Sequence, residues 1–223
     1  ATVPHKHANG SSLHEKGKAG SDDRILIVSE GSKTEPNYLH EIRQIYRLHT
    51  ANLAVYPSEL GTAPIQVVEY AKTLFEQGDA RKSIPPRAFE QVYAVFDRDD
   101  HNSYVNALNL AESLDGKLKN DCKQGVRFQA IASVPSFELW LLLHYEDIQA
   151  PIHRKEVMAR LKKHLPHYEK GLPRPFSLTQ AQLPVAMQRA EALATKFSAR
   201  TEPQPFTAMA MLVKVLTDLK AAS

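Results

Sequence analysis

The stretch ILIVSEGSKTEPNYL, Ile25 to Leu39, decides the fold. Ile25 to Val28 is an unbroken apolar run, too short for a helix and apolar on both faces, which is the pattern of a strand buried in a parallel sheet. It runs straight into Glu30-Gly31-Ser32-Lys33-Thr34-Glu35, so a buried element ends in charge. Helical spacing then takes over in TEPNYLHEIRQIYRL, with Thr34 as the expected N-cap and Pro36 in the first turn.

Further along, the same alternation repeats. Leu53 to Tyr56 reads as a second strand, and APIQVVEYAKTLFEQG as a helix that starts near Pro64 and is capped by Gly78. QVYAVFDRDD gives a third strand that again ends in acid, followed by a helix opened by Ser103 and a fourth strand in VRFQAIAS. Apolar strands alternating with helices define an α/β fold with a mostly parallel sheet flanked by helices. Beyond Pro151 no strand is predicted. Helical spacing recurs in HRKEVMARLKKHL, LPVAMQRAEALATKF and FTAMAMLVKVLTDL, and HYEKGLPRPFSLTQ between them reads as a loop. The expected organisation is a mobile polar tail over residues 1–23, an α/β domain over 24–150, and a helical C-terminal region over 151–223 packed on it. His5, His7 and His14 fall in the tail and are expected to be solvated.

Composition narrows the function classes. A chain of 223 residues can build one sizeable core, and its 43% hydrophobic and 24% charged content excludes a disordered or fibrous protein. Apolar runs fall far short of the roughly 20 residues that cross a bilayer, and no charged-then-apolar leader pattern is seen, so a cytoplasmic location with no membrane partner is expected. Cys122 is the single cysteine, which rules out an internal disulfide or a cysteine metal cluster. A net charge of +3 permits a nucleic-acid partner without demanding one.

In an open parallel sheet, ligands gather outside the carboxyl ends of the strands. Glu30 lies at that end of the first strand, and Asp97, Asp99 and Asp100 at that end of the third. Carboxylates meeting there repel one another unless a cation sits between them, and hard oxygen ligands suit Mg²⁺ or Mn²⁺. Asp97 and Asp99 are two apart and would share a face of an extended segment. A DRDD run is also what a solvated loop contains; its agreement with Glu30 at an equivalent strand end favours a metal. EGSKT lacks the P-loop glycines, with Ser32 and Ile27 in their places, so triphosphate hydrolysis is not expected. Lys33 either faces a phosphate or is an exposed loop lysine. In SVPSFELWLLLHYED, Glu138 is either a first-turn carboxylate favoured by the helix dipole or a further ligand or base. Arg154, Lys155, Arg160, Lys162 and Lys163 either track a phosphate backbone or form a solvated helix face.

ILIVSEGSKTEPNYL, VFDRDD, SVPSFELWLLLHYED and EPQPFTAMAMLVKVL, in this order, resemble the RloB-like family of bacterial phage-defence proteins. The first two blocks also resemble the wider Toprim superfamily, in which a glutamate and a DxD motif bind divalent metal. That resemblance implies Glu30, Asp97 and Asp99 as metal ligands. Ser136-Phe137-Glu138 is similar to the serine-x-glutamate of the overcoming-lysogenization-defect nucleases, which implies Glu138 in a second metal site, with Lys33 as a counterpart of their lysine. The resemblance further implies a Mg²⁺- or Mn²⁺-dependent nuclease acting on RNA such as tRNA, or on DNA, in anti-phage defence. It also implies control by an ABC- or AAA-type ATPase encoded nearby. A homodimer is compatible with it. The alternative is a non-catalytic Toprim-like module that binds nucleic acid or the ATPase.

Overall fold

β1 (Ile25–Ser29) is buried at all five positions, because it lies inside the sheet, paired on either side, with helices packed on both faces. The computed structural model describes residues 22–169 and 171–219, so positions 1–21 of the expected tail lie outside the described residues. After β1 come α1 (Thr34–Ile45), β2 (Leu53–Pro57), α2 (Pro64–Gln77), β3 (Gln91–Asp97), α3 (Tyr104–Leu114), β4 (Arg127–Val134) and α4 (Phe137–Leu143). Then follow α5 (Arg154–His164), α6 (Pro175–Thr179), α7 (Leu183–Lys196), β5 (Phe206–Thr207) and α8 (Met209–Thr217).

The sheet order is β2-β1-β3-β4-β5, parallel throughout except where β5 meets β4. The fold is therefore α/β, a mostly parallel sheet flanked by helices, consistent with the Toprim-like layout expected. The chain leaves β1 for β2 on one side, then crosses back to β3 on the other. Such a reversal is a switch point, where the connections diverge and leave a crevice outside the strand ends. Glu30 and Asp97 are both delivered there.

Alternation along the strands divides the core in two. Leu26, Val28, Val92, Ala94 and Phe96 pack against α2 and α3, through Val67, Phe75, Tyr104 and Leu108 among others. Ile25, Ile27, Tyr93 and Val95 face the opposite way and join α1, α4 and the C-terminal helices in one continuous cluster. α4 is buried at every one of its seven positions. Within it, the Trp140 indole N–H donates to the Tyr38 hydroxyl at 2.9 Å, so even the polar atom of the largest core side chain is satisfied.

Three local expectations are corrected. A strand does exist beyond Pro151: β5 pairs with the end of β4, and the hydroxyls of Ser133 and Thr207 share a hydrogen bond of 2.8 Å. The segment read as a loop contains α6, whose first amides, Phe176 and Ser177, donate to the buried Glu41 carboxylate at 2.7 and 3.2 Å. α1 begins at Thr34 rather than being capped by it, and the Thr34 hydroxyl instead accepts from the Gly171 N–H at 2.9 Å. No helix among the described residues is long and apolar enough to cross a membrane.

His144, just past α4, is 2% exposed; its Nδ1 bonds the Trp140 carbonyl at 2.9 Å, while Nε2 is buried without a partner. Burial pushes its pKa down to about 4. Folding thus favours the neutral ring, and the stability this gives is present above pH 6.5 and lost as pH falls from there towards 4. Between about pH 7.5 and 4.5, wild type should lose roughly 2 kcal/mol more unfolding free energy than His144→Phe in urea titrations. Parallel losses in the two proteins would remove His144 as a cause of acid sensitivity.

Candidate metal centre

Two adjacent strands fix the first two acids. The Glu30 N–H donates to the Val95 carbonyl at 2.8 Å, and the Glu30 carboxylate accepts from the Asp97 N–H at 2.8 Å. Asp97 is 5% exposed, and its Oδ1 accepts the first amide of α4, that of Phe137, at 2.8 Å. A helix N-terminus offers such an orphan donor, and a carboxylate satisfies it. The bond does not compensate for the surroundings. Burial, then Glu30, Glu35, Glu138 and Asp99, hold the Asp97 carboxyl well above the usual carboxylate range.

The expectation that Asp97 and Asp99 share a face of an extended segment is overturned. β3 ends at Asp97, and Asp99 has φ +37°, so the chain turns between them. Arg98 holds that turn. Its Nη1 donates to the carbonyls of Asp99 and His101 at 3.0 and 3.1 Å, while its guanidinium lies over the Tyr104 ring and pairs with Glu202. The loop therefore bends back on itself and returns Asp99 and His101 towards Glu30. One ligand atom from each of Glu30, Asp99 and His101 lies within 4.8 Å of the others, with His101 Nε2 3.4 Å from Glu30 Oε1.

These three fit a divalent ion. The Asp99 side chain is nine-tenths buried, its Oδ1 has no hydrogen-bond partner, and its Oδ2 lies 3.5 Å from Arg154. A buried carboxylate oxygen left without a donor is unfavourable unless a cation or donor reaches it. Two carboxylates and an imidazole form a mixed oxygen and nitrogen donor set, better matched to Mn²⁺ than to Mg²⁺, which prefers oxygen alone.

Asp97 faces an adjoining cleft of about 350 Å³ that Glu30, Lys33, Glu35 and Glu138 also line. Glu138 is buried on α4, and its carboxylate accepts from the Tyr168 hydroxyl at 3.1 Å. Burial and the neighbouring Glu138 push the Tyr168 phenol up, so it stays a donor. Lys33 is exposed at the mouth of the cleft, its stem against Gly171. Of the basic residues on α5, Arg154 and Lys155 border a small hollow beside Glu138, whereas Arg160 is paired with Glu146 and Glu156, and Lys162 and Lys163 are exposed. Asp100 is exposed and borders a separate cavity.

Sequence reasoning missed Glu35, Arg98, His101 and Tyr168. His101 carried one signal, an imidazole two residues after Asp99. Glu35 stood inside the opening motif and was assigned no role.

The protein thus belongs to the class of α/β proteins that carry an acidic, metal-competent crevice at a sheet switch point. The family model described as RloB-like protein matches residues 25–216, and the chain belongs to that family. No curated protein and no solved structure matches it.

Asn at position 97 keeps the oxygen that accepts the Phe137 amide and removes one charge from the crowd. In EDTA at neutral pH, Asp97→Asn should melt about 3 °C or more above wild type, roughly 1 kcal/mol for a chain of this size. A lower melting temperature would show that Asp97 is not under repulsion.

Proposed function

We propose that the chain is a divalent-metal-dependent nuclease hydrolysing phosphodiester bonds of RNA or DNA. The observation that carries this reading is the convergence of Glu30, Asp99 and His101 at the switch point, with Asp97 and Glu138 in the adjoining cleft. A divalent ion held by Glu30, Asp99 and His101 would supply Lewis-acid activation of a phosphate and a water. The remaining groups are placed for complementary work. Glu30 is oriented by the Asp97 amide, so its carboxylate keeps one direction as substrate enters. Asp97, held by the Phe137 amide, can serve as an additional ligand, and Glu138, aligned by Tyr168, as a base or a further ligand. Lys33 at the cleft mouth, and Arg154 and Lys155 beside Glu138, offer positive charge to a phosphate backbone.

A role in phage defence and control by an ABC- or AAA-type ATPase rest on the family resemblance alone and are part of the same proposal, as is a cytoplasmic location. The Asp99 side chain already has Arg154 at 3.5 Å, so cation binding at the centre competes with a resident guanidinium.

The test combines cleavage with metal binding. Purified chain, alone and with the neighbouring ATPase, is incubated with transfer RNA, single-stranded RNA and duplex DNA in Mn²⁺, Mg²⁺ or EDTA. Cleavage should require metal, be faster in Mn²⁺, and fall roughly 100-fold or more in Asp99→Asn and His101→Ala, the upper range seen even for outer-shell partners of a metal. Mn²⁺ isotherms of the same variants should weaken in parallel. Wild-type cleavage in EDTA, or unchanged Mn²⁺ affinity in both variants, would sink the assignment; metal binding and nucleic-acid binding without cleavage would establish the non-catalytic module instead.

A further inference from the structure

Asp99 also borders a second cavity, of about 500 Å³, that the metal centre does not use. Four segments meet around it: the loop after β3, the end of β4 with Pro135, the segment before α5, and the loop before β5 at Glu202 and Pro203. Its apolar walls are Val134, Pro135, Pro151, Ile152 and Pro203, which offer flat surfaces and no donors. The volume lies in the range of small-molecule sites.

The polar groups restrict what can enter. Arg98 is the cation on the lining, and its guanidinium is already occupied by two loop carbonyls and Glu202. An anionic ligand therefore finds no ready counter-charge. Asp99 and Asp100 contribute carboxylate acceptors. A purely apolar ligand would cover them without supplying a donor, which is unfavourable. His153 completes the lining: its Nδ1 accepts the Lys155 N–H at 3.1 Å, which places the ring proton on Nε2 and fixes an exposed imidazole face at the rim. The ligand that satisfies all of these is planar and uncharged, carries N–H donors for the carboxylates, has an acceptor for the His153 N–H, and presents a face that stacks on imidazole and packs on proline.

We propose that this cavity holds one unstacked nucleobase bearing an exocyclic amino group, from the same strand whose phosphate meets the metal centre. Single-stranded bases are recognised in this way, by stacking on aromatic rings and by hydrogen bonds to their pairing edge. The amino group of cytosine donates to a carboxylate and its ring nitrogen accepts from a donor, whereas uracil presents a carbonyl where cytosine has its amino group. The location in a strand rests on the nuclease reading, because Asp99 is the residue that joins this cavity to the acidic crevice.

The experiment is run on the full chain in EDTA, so that binding is measured without cleavage. Fluorescence anisotropy compares single-stranded octamers of cytidine and of uridine, as RNA and as DNA, with cytidine and uridine nucleosides as competitors. The cytidine octamers should bind roughly tenfold tighter than the uridine octamers, and cytidine should compete where uridine does not. Ile152→Trp, which fills the cavity from a half-exposed loop position, should abolish the difference while melting like wild type, and Asp100→Ala should reduce it. Equal affinity for the two octamers, or a preference that survives Ile152→Trp, would overturn the proposal. Cytidine binding without any octamer binding would overturn the strand assignment in favour of a free nucleotide. A protein that prefers cytidine octamers yet cleaves nothing in Mn²⁺ would lose the nuclease reading and keep this site; the converse would lose this site alone.

Discussion

The hydrogen bond from the Phe137 amide to Asp97 Oδ1, buried and 2.8 Å long, is the joint on which the site hangs. It ties the end of β3 to the first turn of α4, and α4 carries Glu138 one residue further on. The backbone N–H of the same Asp97 holds the Glu30 carboxylate, so one residue positions two other acids, by its side chain and by its main chain. Such an arrangement is electrostatically unfavourable without a cation, since several carboxylates crowd a buried region. It persists because the surrounding core leaves it little freedom. α4 is wholly buried, and its Trp140 is locked to Tyr38 on α1, so the helix cannot withdraw Glu138 without breaking the core of one face.

The parallel sheet was legible in the sequence because a strand covered on both sides must be apolar at consecutive positions, and β1 and β3 are buried throughout. Acids placed directly after such runs at once located Glu30 and Asp97. β5 and α6 were illegible for the opposite reason. Two and five residues carry no periodicity, and each is held by a distant polar partner, Ser133 for β5 and Glu41 for α6. The same limit hid much of the site. Asp99 was found by type but misplaced in geometry, because its left-handed turn depends on Arg98 bonding two carbonyls, a contact that no spacing rule encodes. His101 comes to Glu30 only as a consequence of that turn. Charge runs were equally ambiguous: Arg160 reads like its basic neighbours on α5 but is paired with Glu146, fourteen residues earlier in the chain.

The C-terminal half contributes directly to the crevice. The segment after α5 brings Tyr168 to Glu138 and Gly171 to Thr34, while the start of α5 brings Arg154 to Asp99 and Lys155 beside Glu138. These helices share one continuous apolar cluster with the sheet face, so their docking and the alignment of Glu138 are a single packing event. The acids of the strand ends come from local sequence, whereas the groups that orient or neutralise them arrive from residues far along the chain. A buried carboxylate is tolerable only once its donors are in place. Full formation of the centre is therefore coupled to closure of the C-terminal helices over the sheet, and anything that loosened those helices would release Tyr168 and Arg154 from the acids before it disturbed the strands that carry Glu30 and Asp97.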